Sequence, residues 1–396
     1  VRRMMLLSLE AVDINLDHFM RAYESEAFAA SATHYLNAVS ADVERRPAPV
    51  HHCPACGKWG YEAFGRGKCN WCGSSSDASQ CEHCARKPIA ELMTDMTCIA
   101  CGSPMELVDV DCHVWTLGRH YPAVAKAHAG QPIRQCLADF LKDSLADTSD
   151  NWIITRPGDA GLSLAASDGL PLHTWFMGLS GYRAAVVEYL AAHPERGSFA
   201  DWWGPETKLV HFLGYDCSFS HAVAYAVEQI SDPAGPPVGL FLTNRFLKLN
   251  GEDFSTSRGI AVWIKDMTGQ YPSDAIRLYT AAFSPETEVK NFEMGHFRDW
   301  LAGVYKPMSL AARQARPNAK ADRSAFAASP ALAKWRRHAD LGEFSITGMA
   351  EAVLAFPAEI DAAPEEARAA GWAIFSEIAA PLCPQMTRHL QGAQVS

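Results

Sequence analysis

Eight cysteines between positions 53 and 101 form four Cys-x-x-Cys pairs: Cys53 and Cys56, Cys69 and Cys72, Cys81 and Cys84, Cys98 and Cys101. A two-residue gap lets both thiolates reach one tetrahedral ion, and two such pairs complete a closed structural zinc site. The pattern therefore predicts two structural zinc ions. Order along the chain alone permits either neighbouring or nested pairs to share an ion. Disulfides are the competing chemistry, disfavoured in a chain without secretory marks. Cys112, Cys136, Cys217 and Cys383 stand alone in the sequence and are expected to be buried thiols.

A second stretch with chemical potential is GEDFSTSRG at 251–259. Gly251 and Gly259 suit a turn, and Ser255 and Ser257 offer hydroxyl donors to an anion. Asp253 puts a negative charge where a phosphate would call for a lysine. By itself the segment fits a plain solvent-facing loop as well as a nucleotide loop.

These residues need elements to hold them. Helical periodicity runs through HFMRAYESEAFAASATHYLNAV in the segment 1–50, which leads into a zinc-knuckle region at 51–150. From 151 to 305 short apolar runs (NWIIT, KLVHFLG, PVGLFLTN) alternate with helical stretches, the pattern of an α/β layer with parallel strands and crossover helices. Residues 306–396 are Ala-rich and predict a helical domain. The 396 residues are 48% hydrophobic and 20% charged, a globular composition with room for several cores. No apolar run reaches the roughly 18 residues of a membrane span, and the basic, apolar start lacks a cleavage site, so a cytoplasmic location is expected. The net charge of −10 gives no global pull toward nucleic acid. Locally, though, Lys306, Arg313, Arg316, Lys320, Arg323, Lys334, Arg336 and Arg337 face only Asp322 along the sequence, and an exposed Trp335 beside them would stack on a base.

The order of LDHFMRAYESE, the four knuckles, DCHVWTLGRH, NWIITRPG, HTWFMGLSGYR, VHFLGYDCSFSH and LNGEDFSTSRG resembles the catalytic part of methionyl-tRNA synthetase, a class I aminoacyl-tRNA synthetase. The resemblance covers about 10–305, and the final ninety residues look like an abbreviated anticodon-binding bundle. It implies a partial Rossmann-like α/β sheet with an inserted knuckle domain and a C-terminal helical domain. It implies nested knuckles, with Cys69, Cys72, Cys81 and Cys84 on one ion and Cys53, Cys56, Cys98 and Cys101 on the other. For the amino-acid pocket it points to Trp175, Gly178, Tyr182, Asp216 and His221. Residues Ser255, Thr256, Ser257 and Arg258 fall in the segment matching the KMSKS signature, where Asp253 and Thr256 take the places of the two lysines.

Thr256 donates a hydrogen bond but no charge to a leaving pyrophosphate, a loss of several kcal/mol in the transition state. Arg258, Lys248 or Arg245 would have to supply a displaced cation. No HxGH-like string occurs in the sequence, so the first half of the nucleotide fold is expected to come from a partner protein, to be replaced by reorganised N-terminal helices, or to lie before a late start. Met177, Gly178 and Leu179 stand where the family has Asp, Ala and Pro, which removes a charge beside the pocket. Two functions follow: activation of an amino acid with ATP for transfer to tRNA or a biosynthetic acceptor, or a catalytically inactive paralogue that binds tRNA, an amino acid or a protein.

Overall fold

The computed structural model describes residues 2–158, 161–254 and 259–395. The chain divides into two compact units, Asp17–Thr243 and Val1–Leu16 with Asn244–Ser396, so the first helix, α1 (Arg2–Glu10), belongs with the C-terminal unit.

The unit Asp17–Thr243 begins with α2 (Glu26–Ala38), started by Ser25, whose hydroxyl accepts the amide of Phe28 at 3.0 Å. That bond satisfies one of the amides a helix N-terminus leaves unpaired. The strand β1 (Val43–His52) carries the chain into the knuckles. There β2 (Gly65–Lys68), β3 (Ser75–Asp77) and β4 (Thr94–Cys98) form a sheet in the order β3-β2-β4, and β5 (Glu106–Trp115) brings the chain back. β1 and β5 pair antiparallel from Val43 opposite Trp115 to His52 opposite Glu106. Pro47 and Pro49 have no N–H to donate, so β1 must lie at an edge with those positions turned outward. The sheet order is β1-β5-β6, with β6 (Trp152–Ile153) antiparallel to β5. The NWIIT run thus extends the knuckle ribbon instead of opening a parallel layer.

Helices α3 (Tyr121–His128) and α4 (Gln135–Ser144) precede β6, and α5 (Thr174–Leu179), α6 (Gly181–Ala192) and α7 (Phe199–Trp202) follow it. Next come β7 (Val210–Gly214), a π-helical stretch Phe219–Tyr225 running into α8 (Ala226–Ile230), and β8 (Leu240–Asn244). β7 and β8 pair with each other, and that helical stretch lies between them in sequence.

In the C-terminal unit, β9 (Leu247–Leu249), β10 (Glu252–Asp253) and β11 (Lys290–Phe292) take the order β10-β9-β11. β9 and β10 are joined through Asn250 and Gly251, both with left-handed φ (51° and 85°), as a two-residue hairpin of this twist requires. Helices α9 (Ile264–Thr268), α10 (Ser273–Ala282), α11 (Met294–Trp300), α12 (Lys306–Gln314), α13 (Pro330–Ala339), α14 (Ile346–Ala362), α15 (Glu365–Ala379) and α16 (Pro384–Val395) complete it. Phe297, Val353, Phe356, Phe375 and Leu390 are fully buried in their common core. Three helix starts are closed by carboxylates from elsewhere in the unit. Asp274 accepts the amides of Gln385 and Met386 (3.1 and 2.7 Å), Glu286 that of Ile346 (2.9 Å), and Glu359 that of Ala331 (2.9 Å). Each anion meets the positive end of a helix. Among the described residues no helix is long and apolar enough to cross a membrane.

Candidate metal centres and amino-acid pocket

The four knuckles share one local geometry. The residue after each second cysteine has left-handed φ: Gly57 68°, Gly73 72°, Ala85 61° and Gly102 73°. Its amide donates to the carbonyl of the first cysteine, at 2.8, 2.9, 2.8 and 2.7 Å respectively. That turn aims both thiols of a pair to one side. All eight cysteines are free thiols, and their sulfurs gather in two groups, Cys53, Cys56, Cys98 and Cys101 and Cys69, Cys72, Cys81 and Cys84. The grouping is nested in sequence. Sulfur separations of 3.5 Å (Cys53–Cys101), 3.6 Å (Cys56–Cys98), 3.6 Å (Cys72–Cys81) and 3.8 Å (Cys69–Cys84) are close to the edge of about 3.8 Å of a tetrahedron built on 2.3 Å zinc–sulfur bonds. Both groups therefore fit a tetrahedral zinc ion and could hold one.

Of the predicted pocket residues, the fold joins three. Tyr182 on α6 and His221 in the π-helical stretch share a hydrogen bond of 2.7 Å (Oη to Nε2), and the Trp175 ring on α5 meets His221 edge-on at 6.3 Å. His221 Nδ1 lies 3.2 Å from the carbonyl of Cys217 and 3.0 Å from Ser220 Oγ. Burial pulls His221 down to about 4, so the ring is neutral at physiological pH. In the tautomer in which Nδ1 donates to the Cys217 carbonyl, Nε2 accepts the hydroxyl proton of Tyr182. The phenol oxygen of Tyr182 keeps the capacity to accept, on a residue that as a whole is partly exposed. A group bearing N–H or O–H suits it. Gly178 on α5 is exposed, and a Cβ there would meet nothing within 4 Å. Asp216 follows β7, its carboxyl raised by burial and hydrogen-bonded to Cys217, the residue whose carbonyl faces His221.

The sequence reading missed several neighbours. His211 on β7 stacks on Phe241 (4.9 Å) and meets Tyr182 at 4.7 Å, and Tyr225 lies 5.3 Å from Tyr182. Burial, then His221, brings His211 down to about 4. Alternation along KLVHFLG put this histidine on the inner face of a strand, the one available sign. Glu62, half-buried, and Glu228, fully buried, gave none.

The residues Ser255, Thr256, Ser257 and Arg258 lie outside the described residues. Earlier in the sequence, Lys248 and Asp253 face each other across the β9–β10 hairpin, Nζ to Oδ1 3.4 Å. In the helical region the basic strip is less free than its sequence suggested. Arg323 pairs with Glu377 (3.0 and 2.6 Å), Arg337 with Glu343 (2.5 Å) and Lys334 with Glu351. Helix packing brings in acids that lie far away in sequence. Trp335 is half-buried, not exposed, and its indole N–H donates to the carbonyl of Ile378 at 3.1 Å.

With these geometries in view, the profile of tRNA synthetases class I (M) matches residues 2–301. The chain belongs to that family. Similar proteins include the methionine-tRNA ligases of Methanopyrus kandleri (28% identical over 266 residues, 65% of this chain and 39% of that protein) and Methanobrevibacter smithii (24% over 314 residues, 76% and 46%). The chain thus spans less than half the length of these relatives. Among solved structures, Mycobacterium tuberculosis methionyl-tRNA synthetase in complex with methionyl-adenylate is similar in fold, with a TM-score of 0.68 at 16% identity, over 98% of this chain and 79% of that one.

Proposed function

We propose that this family member recognises an amino acid through Trp175, Tyr182 and His221. Within an assembly that completes the ATP site, it would activate that amino acid for transfer to tRNA or a small biosynthetic acceptor. The Tyr182–His221 hydrogen bond carries the proposal, because with Nε2 accepting it leaves the phenol oxygen as a preorganised acceptor for an ammonium or a polar side chain. Structural zinc in both four-cysteine groups belongs to the same proposal. Met177, Gly178 and Leu179 beside the pocket argue for an amino acid other than methionine.

A second reading, an inactive paralogue that binds amino acid, tRNA or protein, is favoured by the loop. Asp253 and Thr256 replace cations there, and Lys248 is engaged by Asp253. Calorimetric titration with the standard amino acids, followed by amino-acid-dependent pyrophosphate exchange into ATP, separates the two. The isolated chain is expected to bind an amino acid, to lose binding in Trp175→Ala and His221→Ala, and to show no exchange. Exchange that appears once a partner protein is added supports activation. Binding without exchange under any pairing supports the paralogue, and no binding at all removes the pocket.

A further inference from the structure

Glu62 sits in the knuckle insertion, between the first two cysteine pairs, with φ of 49°. For a residue with a long side chain this left-handed backbone is unfavourable and persists only where the surroundings force it. They do so on both sides. The Glu62 amide donates to Ser79 Oγ at 2.9 Å, and its carbonyl accepts the amide of Ala78 at 3.2 Å. The strained backbone sends the carboxylate out of the insertion toward the start of α5. There Oε1 accepts the amide of Thr174 at 2.9 Å and pairs with the guanidinium of Arg156, which is itself buried. Arg156 donates onward to Thr174 Oγ1 at 2.9 Å and lies over the Tyr61 ring at 4.7 Å. His173, the residue before the helix, accepts the Trp175 amide on Nδ1 at 3.2 Å, 3.8 Å from Glu62 Oε1. Thus the first turn of α5, which carries Trp175, is held by a side chain from the knuckle insertion.

We infer that Glu62 is a positioning residue for the amino-acid pocket. Through Thr174 and Arg156 it fixes the first turn of α5, and it transmits to that helix the order that metal binding gives the insertion. The inference rests on the pocket assigned above, but its test needs no amino acid. Hydrogen exchange followed by mass spectrometry would be measured on the full metal-loaded chain. In Glu62→Gln, amides of Thr174–Leu179 are expected to exchange at least tenfold faster, with metal content and the exchange of α14 unchanged. Glu62→Gly relieves the backbone strain yet removes the carboxylate, so it should accelerate α5 in the same way. Glu82→Gln, an exposed acid of the same insertion, should leave α5 as it was. Stripping metal from the parent chain with a chelator should accelerate α5 along with the knuckles. Unchanged α5 exchange in Glu62→Gln, acceleration spread evenly over the chain, or α5 protection that survives chelation would overturn the inference. A failure to bind any amino acid would remove the pocket assignment and leave these exchange results standing.

Discussion

Gly57, Gly73 and Gly102 share a left-handed position with Ala85, and the four do not pay the same for a methyl group. A Cβ on any of the three glycines would meet nothing within 4 Å, so an alanine there gains no packing. It takes on the roughly 1–2 kcal/mol cost of an L-residue in that region, offset by about 0.4–1 kcal/mol from a stiffer unfolded chain. Gly57→Ala is expected to destabilise by roughly 0.5–1 kcal/mol. The Ala85 methyl is fully buried and recovers about 0.8 kcal/mol, so Ala85→Gly should be close to neutral; thermal midpoints of both variants, metal-loaded, check the contrast. Glu228 is the other residue out of keeping with its surroundings. It is fully buried on α8, and neither carboxyl oxygen has a hydrogen-bond partner among the described residues. Burial raises its pKa well above the carboxylate range, and it lies close enough to Tyr35 and Tyr225 to help push both phenols up. Burial is the one cause acting on Glu228 itself, while Asp232 and Arg183 act on Tyr35. The folded state therefore keeps a proton that the unfolded chain releases near the ordinary glutamate value, and stability should decline as pH rises above about 4.5. Glu228→Leu should abolish that decline and stabilise the protein near neutral pH by about 1–3 kcal/mol. Denaturant midpoints measured from pH 5 to 8 decide it, and an equal slope in parent and variant would refute the assignment.

At the scale of elements, helix starts depend on residues outside the helix. Glu286 binds the Ile346 amide and the Ser345 hydroxyl (2.5 Å) at the start of α14. Glu286→Gln retains the size but loses the charge facing the helix N-terminus, and a loss of about 1–2 kcal/mol is expected by denaturant titration. The knuckles depend on metal in the same way. They have short strands and few apolar residues, so binding energy at the two thiol groups stands in for a core. The purified chain should carry two zinc ions, and Cys81→Ser should reduce this to one; metal analysis returning fewer in the parent would exclude the structural-zinc proposal. That the two groups are nested was implied by family resemblance and not by spacing, since four equally spaced pairs fit either pairing. The β3-β2-β4 sheet decides it by carrying the inner pairs apart from Cys53 and Cys98.

For the whole molecule, the question is how much of the basic surface is available to RNA. Eight cations between 306 and 337 suggested a phosphate strip, but Arg323, Lys334 and Arg337 are paired with acids. With five left, the slope of log affinity against log salt for single-stranded RNA should not exceed about −3.5 in magnitude. Filter binding at several salt concentrations measures it. Arg336→Ala should weaken binding, and Lys334→Ala should leave it nearly unchanged. A slope well beyond that value would mean that the pairs open on binding.

What the sequence determined by itself were the features encoded in spacing along the chain. Four Cys-x-x-Cys pairs specify tetrahedral thiolate chemistry in any fold that lets the turns form, and the Ala-rich periodicity beyond 306 is enough for helices. Family resemblance pointed to Trp175, Tyr182 and His221 through local motifs, and the fold brings these three side chains together. Glu62, Glu228 and the acids that neutralise the basic strip were out of reach. Their roles come from partners 94 residues away in the Glu62–Arg156 pair and 54 in the Arg323–Glu377 pair. A carboxylate's charge and burial are decided by what tertiary packing sets beside it, and one residue's type and near neighbours do not carry that information.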